Sequence, residues 1–164
     1  MSGAREAGSG TVVWITGLPS SGKSTLAALV AAAHGSAVVL DGDEVRAALR
    51  PVPGYGEAER DAFYETLARL AALLARQGHV VLVAATAHRR AFRDRARELA
   101  PRFVEVFVDT PLAECRRRDP KGLYARAEHQ LPGLGVTFEP PESPDVRVLP
   151  DDPGAVQRIL ACLT

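Results

Sequence analysis

From Gly17 to Ser24 the chain reads GLPSSGKS, a complete G-x-x-x-x-G-K-S run, and no other feature restricts the possible fold as strongly. Before it lies Thr11 to Thr16 (TVVWIT), apolar and β-branched, which predicts a buried strand. After it, Lys23 to His34 (KSTLAALVAAAH) is rich in small, helix-favouring residues, with Gly35 placed to end the helix. Strand, glycine loop and helix in this order can cradle a triphosphate. Backbone N–H groups turn inward, the helix N-terminus faces the negative charge, Lys23 reaches the β- and γ-phosphates, and the Ser24 hydroxyl suits Mg²⁺. The nucleotide-binding set read from the run is Gly17, Ser20, Ser21, Gly22, Lys23, Ser24 and Thr25. A glycine turn that merely caps a helix would need neither the lysine nor the strand.

The rest of the chain repeats the alternation. Strands are expected at 37–40, 79–84, 103–108 and 146–149, and helices at 44–49, 57–77, 89–99, from Pro111 onward, and at 153–163. Within 57–77, Phe63, Leu67, Leu70, Leu73 and Leu74 form the expected apolar face. Ala91, Ala96 and Leu99 do so in 89–99, and Asp152 with Pro153 would start the last helix. The resulting class is α/β: a mostly parallel five-stranded sheet with helices on both faces, in one domain over 11–164 behind a flexible leader at 1–10. Gly- and Pro-rich sequence from Asp119 to Pro144 is too long for a plain connector, so a lid is expected over about 116–144.

Composition excludes several functions. The chain has 164 residues, and its 20 Lys+Arg match its 20 Asp+Glu, so nothing points to nucleic acid. Apolar runs fall short of the roughly 18 residues of a membrane span, and no secretory leader is visible, which makes the cytoplasm the expected location. Cys115 and Cys162 have no metal-ligand spacing and are expected to pack. Arginine supplies nearly all the positive charge, since Lys23 and Lys121 are the only lysines. A point ammonium and a planar guanidinium do different work, so those two positions stand out.

Asp41 and Asp43 fall at the end of the second expected strand, the edge where open α/β sheets bind ligands. One carboxylate can serve the Mg²⁺ shell while the other accepts a proton from an attacking hydroxyl. Asp43 would otherwise be a simple helix cap. GLPSSGKST, LDGDEVR at 40–46 and FVDTPLAECRRRDPKGLYARA at 107–127 together resemble the adenylylsulfate (APS) kinase family, and the resemblance extends from Thr11 to about Glu142. It implies transfer of phosphate from ATP to the 3′-hydroxyl of APS, with Mg²⁺ as cofactor and homodimers as an oligomeric state. By resemblance, Lys23, Asp41 and Asp43 are catalytic and Ser24 and Asp41 serve the metal. Asp43, Arg46, Tyr55, Arg60, Lys121, Gly122 and Leu123 belong to the acceptor site, with Tyr55 stacking on adenine. Arg116 and Arg118 could hold ATP under a closed lid, or form only a solvated helix end.

The departures from the family fall on the acceptor side. Phe63-Tyr64-Glu65-Thr66 stands where the family has N-I-R-R, Ala85-Thr86-Ala87-His88 where it has F-I-S-P, and Leu131-Pro132-Gly133-Leu134-Gly135 where it has F-T-G-I-D. These changes remove polar contacts and one aromatic. His88 is expected to be solvated, as a lone histidine at a strand end commonly is. Two other functions stay open: a kinase of the same fold acting on a different small hydroxyl compound, and a nucleotide-binding module without transfer activity.

Overall fold

The computed structural model describes residues 9–126 and 131–164. The expected leader therefore lies outside the described residues up to residue 8, and the expected lid lies outside them at 127–130. Strand β1 (Thr11–Thr16) is buried at every position and leads through the glycine loop into α1 (Lys23–His34), which ends at Gly35 with φ 91°. There follow β2 (Val38–Asp41), α2 (Gly42–Ala48), α3 (Glu57–Arg76), β3 (Val80–Ala84), α4 (Arg90–Leu99) and β4 (Phe103–Val108). The chain closes with α5 (Leu112–Arg118), α6 (Leu123–Arg126), β5 (Val146–Val148) and α7 (Ala155–Ala161).

The sheet has the order β2-β3-β1-β4-β5, and every pairing in it is parallel. Parallel strands buried on both faces need apolar side chains pointing both ways, which accounts for the continuous hydrophobic runs of β1 and β3. Alternate residues of β1 enter different cores. Val12 and Trp14 pack with α3 and α4 on one face, and Val13 and Ile15 with α1 and α7 on the other. Truncating a fully buried side chain such as Leu67 costs about 2–5 kcal/mol.

Several boundaries differ from the sequence reading for local reasons. α2 starts at Gly42 because Asp41, not Asp43, is its cap: Asp41 Oδ1 accepts from the backbone N–H of Asp43 at 3.0 Å and of Glu44 at 3.4 Å. On α3 the buried stripe continues through Ala68, Ala71, Ala72 and Ala75, and Leu73 is 45% exposed, because small side chains let the helix lie close to the sheet. On α4, Ala91 is exposed, and Phe92 and Arg93 take the buried face with Ala96. α7 begins at Ala155 and not at Pro153, where Asp152 Oδ1 instead accepts from Gly154 N at 3.1 Å. Cys115 is buried and Cys162 half-buried, in line with packing roles. Among the described residues, no helix is long and apolar enough to cross a membrane.

Candidate active site

At the carboxyl edge of the sheet, β1, β2 and β3 deliver their following loops to one cleft of about 740 Å³. Phosphate-loop residues line one end and aromatic and arginine side chains the other.

The phosphate-loop end depends on backbone. Gly22 has φ 107°, a left-handed conformation unstrained only for glycine, and α1 starts there without a side-chain cap. The N–H groups of its first turn are therefore open to an anion. Lys23 Nζ donates to the carbonyls of Gly17 at 3.0 Å and Leu18 at 2.7 Å. Burial lowers the Lys23 pKa to about 8, although Asp41 and Asp43 oppose the shift. Thr110 Oγ1 donates to Ser21 O at 2.9 Å and Tyr124 Oη donates to Pro19 O at 2.7 Å, so the loop is tied both to the segment after β4 and to α6.

The two aspartates have different environments. Asp41 is half-buried and fully engaged: one oxygen caps α2, and the other accepts from Ser24 Oγ at 2.5 Å. Asp43 projects into the cleft, where its carboxylate meets Lys121 Nζ at 2.6 Å. That ion pair raises the Lys121 pKa. A pair of oxygen donors from Ser24 and Asp41 beside an open helix N-terminus fits a hard divalent cation accompanying a triphosphate.

At the other end, the Arg46 guanidinium lies between the rings of Tyr55 and Phe63, at 4.3 and 4.1 Å from their centroids. It also donates to the carbonyls of Pro53 at 3.2 Å and Gly54 at 2.9 Å, while Glu59 accepts from Gly54 N. These bonds hold the loop that presents Tyr55, itself 55% exposed. Arg60 lies 5.7 Å from the Tyr55 ring. Beneath them, Tyr64 stacks on Phe92 at 4.5 Å, and His88 meets Phe92 edge-on at 5.4 Å.

Most residues singled out in the sequence converge here. Ser20, Gly22, Lys23, Ser24, Thr25, Asp41, Asp43, Arg46, Tyr55, Arg60, Arg118, Lys121 and Leu123 all line the cleft. Gly17 and Ser21 are buried under the loop, and Arg116 and Gly122 lie off the cleft surface. Arg118 is paired with Glu114 at 2.9 Å. Contrary to the sequence reading, His88 is not solvated: it is 4% exposed, enclosed by aromatic rings, and burial next to Arg60 and Arg89 lowers its pKa to about 4. The sequence also gave no sign of Arg93, which is fully buried, faces Glu105 at 3.3 Å and donates to the carbonyls of Ala87 and Glu139. Only an arginine at a buried helical position would have signalled it.

The family model for adenylylsulphate kinase matches residues 9–149, which takes in both ends of this cleft. The chain belongs to the adenylylsulphate kinase family. It is 44% identical over 149 residues to the adenylyl-sulfate kinase of Citrobacter koseri, covering 85% of this chain and 74% of that one. It is 43% identical to the bifunctional enzyme CysN/CysC of Mycobacterium tuberculosis over 87% of this chain, spanning 25% of that longer protein. Among solved structures, the M. tuberculosis APS kinase CysC in complex with AMPPNP and APS superposes with a TM-score of 0.84 at 40% identity, covering 93% of this chain and 95% of that one. As an APS kinase family member, the chain has the fold of an ATP-dependent kinase, and of the departing residues at 63–66 and 85–88, Phe63, Tyr64, Ala85, Thr86 and His88 line the cleft.

Proposed function

We propose that the protein transfers the γ-phosphoryl group of ATP to the 3′-hydroxyl of APS, forming 3′-phosphoadenylyl sulfate and ADP. The observation that carries this reading is the position of Asp43, whose carboxylate projects between the phosphate loop and the arginine-bearing end of the same cleft. In this reading the open N–H groups of α1 and the Lys23 ammonium bind the β- and γ-phosphates and stabilise charge on the transferred group. Ser24 and Asp41 would hold Mg²⁺, which when bound neutralises phosphate charge.

Asp43 is the better candidate for the base. Asp41 is committed to Ser24 and to the α2 cap, whereas the Asp43 carboxylate, among the described residues, is held by an exposed ion pair that an anionic acceptor can displace by attracting Lys121. Asp43 would then accept the hydroxyl proton as the oxygen attacks phosphorus, and ADP would leave. Arg46, Arg60 and Lys121 would meet the phosphosulfate, and Tyr55 would stack on the base. Arg118 would reach ATP from α5, near Ser21 O at 3.5 Å. Gly122 and Leu123 would position Lys121 and cover the acceptor.

We further propose that the lid expected over about 116–144 acts through Arg118, Pro120, Lys121, Leu123, Leu131 and Pro132, which line the cleft. Its C-terminal side is bonded to the body, with Glu139 N donating to His88 O at 2.7 Å. Closure would exclude water and suppress ATP hydrolysis. Consumption of ATP favours the cytoplasm, and sedimentation velocity would test the expected homodimer.

A coupled ADP-release assay with ATP, Mg²⁺ and APS, with the nucleotide product identified, tests the function. Formation of 3′-phosphoadenylyl sulfate, lost in Lys23→Ala, is the expected result. A second reading, transfer to a different small hydroxyl compound, draws support from the aromatic wall at Phe63, Tyr64 and His88 and from the enclosure of Arg46 between two rings. ATP turnover with another alcohol and none with APS would establish it. ATP binding without transfer to any acceptor would instead identify a binding module.

A further inference from the structure

The acceptor wall contains a buried polar atom that no described residue satisfies. His88 is 4% exposed, yet its Nδ1 has no hydrogen-bond partner among the described residues, and the residue lines the acceptor end of the cleft. A buried ring nitrogen without a partner costs about 1–3 kcal/mol, so a fold keeps one where something else completes it.

The surroundings of His88 have no slack that would let the ring turn elsewhere. Tyr64 Oη accepts from Ala87 N at 3.0 Å, and Ala87 adopts φ 43°. Ala87 O accepts from Arg93 Nη1 at 2.6 Å. His88 O accepts from Glu139 N at 2.7 Å, and Arg90 N donates to Glu139 Oε1 at 2.9 Å. The backbone on both sides of His88 is thus tied to α3, α4 and the segment after the lid. The ring itself is fixed edge-on by Tyr64 at 6.2 Å and Phe92 at 5.4 Å between centroids. A side chain held by so many unrelated contacts keeps its ring nitrogens at defined places, as a specificity contact requires.

We propose that His88 is a specificity-determining residue for the acceptor, forming a hydrogen bond from its ring to an uncharged polar group of the acceptor nucleotide at the base of the cleft. This rests on the APS reading of the site. The arginines account for the class of group. Arg46 and Arg60 lie at the same end and suit the anionic part of the acceptor, and burial, aided by the cationic neighbours Arg60 and Arg89, keeps the imidazole neutral. A neutral imidazole offers one donor and one acceptor, which matches a hydroxyl, an amine or a ring nitrogen. Where the family's N-I-R-R and F-I-S-P segments are replaced in this chain, the replacing residues Phe63, Tyr64 and His88 come together, and His88 returns one polar contact to a wall otherwise made apolar. A site that hydrogen-bonds its substrate discriminates strongly against analogues lacking the partner.

The test compares wild type, His88→Phe and His88→Asn in the full chain. His88→Phe keeps a ring between Tyr64 and Phe92 but has no polar atom, and His88→Asn restores one. The expected result is a KM for APS raised about tenfold or more in His88→Phe and partly recovered in His88→Asn, with the KM for ATP changed less than about twofold. In parallel, ¹⁵N NMR of the wild-type histidine rings should show the His88 resonances moving on addition of APS to the ADP-bound protein, and not on addition of ADP alone. Unchanged KM for APS in a folded His88→Phe, or a His88 ring indifferent to APS, overturns the proposal and leaves a buried water as the partner of Nδ1. If either variant fails to fold, the wild-type NMR titration decides alone. Absence of APS turnover by wild type, with ATP still bound, removes the APS reading and this proposal with it, whereas wild-type turnover with a silent His88 removes only this proposal.

Discussion

The two ends of the cleft offer different means of recognition. At the phosphate loop the recognising groups are largely backbone N–H groups around Gly22 and a single ammonium, all supplied by one short stretch of sequence. At the acceptor end they are side chains from α2, the loop holding Tyr55, α3 and the loop after β3, and they meet only in the folded protein. A backbone cradle tolerates few substitutions because its geometry needs particular residues at fixed spacing. A side-chain wall can accept substitutions one residue at a time. Phe63, Tyr64 and His88 stand where the family has Asn, Ile and Pro, and they pack on one another with Phe92.

That contrast can be challenged most strongly at the donor end. Lys23→Ala should lower kcat by about a thousandfold, since it removes the ammonium from the charge developing on the transferred group. The melting temperature should hold or rise, because the folded state no longer buries an ammonium at a cost. A kcat within tenfold of wild type would break the donor-side account. Between the ends, Asp43→Asn should reduce kcat about a hundredfold or more without loss of stability, as expected of a general base on an exposed side chain. Asp41→Ala should instead also remove the α2 cap, lowering stability by about 1 kcal/mol in thermal unfolding. Equal melting temperatures for the two variants would deny the division of labour between the carboxylates.

At the acceptor wall, Tyr64→Phe removes the hydroxyl that accepts from Ala87 N and leaves that buried N–H unpaired. The expected effects are a loss of about 1–2 kcal/mol in stability and a KM for APS raised a few-fold, with the KM for ATP unchanged. The smallest effect expected is in protonation. Lys23 has a pKa near 8 with the site empty, and a bound polyphosphate must raise it. ATP binding should therefore take up a fraction of a proton at pH 8–8.5 and weaken as pH rises through that range, which calorimetry in buffers of different ionisation enthalpy measures. A site using a lysine already charged throughout that range would show no uptake.

The sequence specified the donor end almost completely. Strand, loop and helix are contiguous, so Gly22, Lys23 and Ser24 were recognisable from spacing alone, as were Asp41 and Asp43 at the end of a strand. The parallel sheet was also legible, because strands buried on both faces must be written as unbroken apolar runs separated by helices. Tertiary structure decided everything that depends on residues distant in the chain. It assigned the helix cap to Asp41 and left Asp43 facing Lys121, 78 positions away. It enclosed His88 in rings from α3 and α4, buried Arg93 against Glu105, and turned Arg46 between Tyr55 and Phe63. Local spacing fixes backbone conformation, hence the phosphate cradle. Burial and pairing arise only when segments meet, and these set the protonation of Lys23 and His88 and the shape of the acceptor wall.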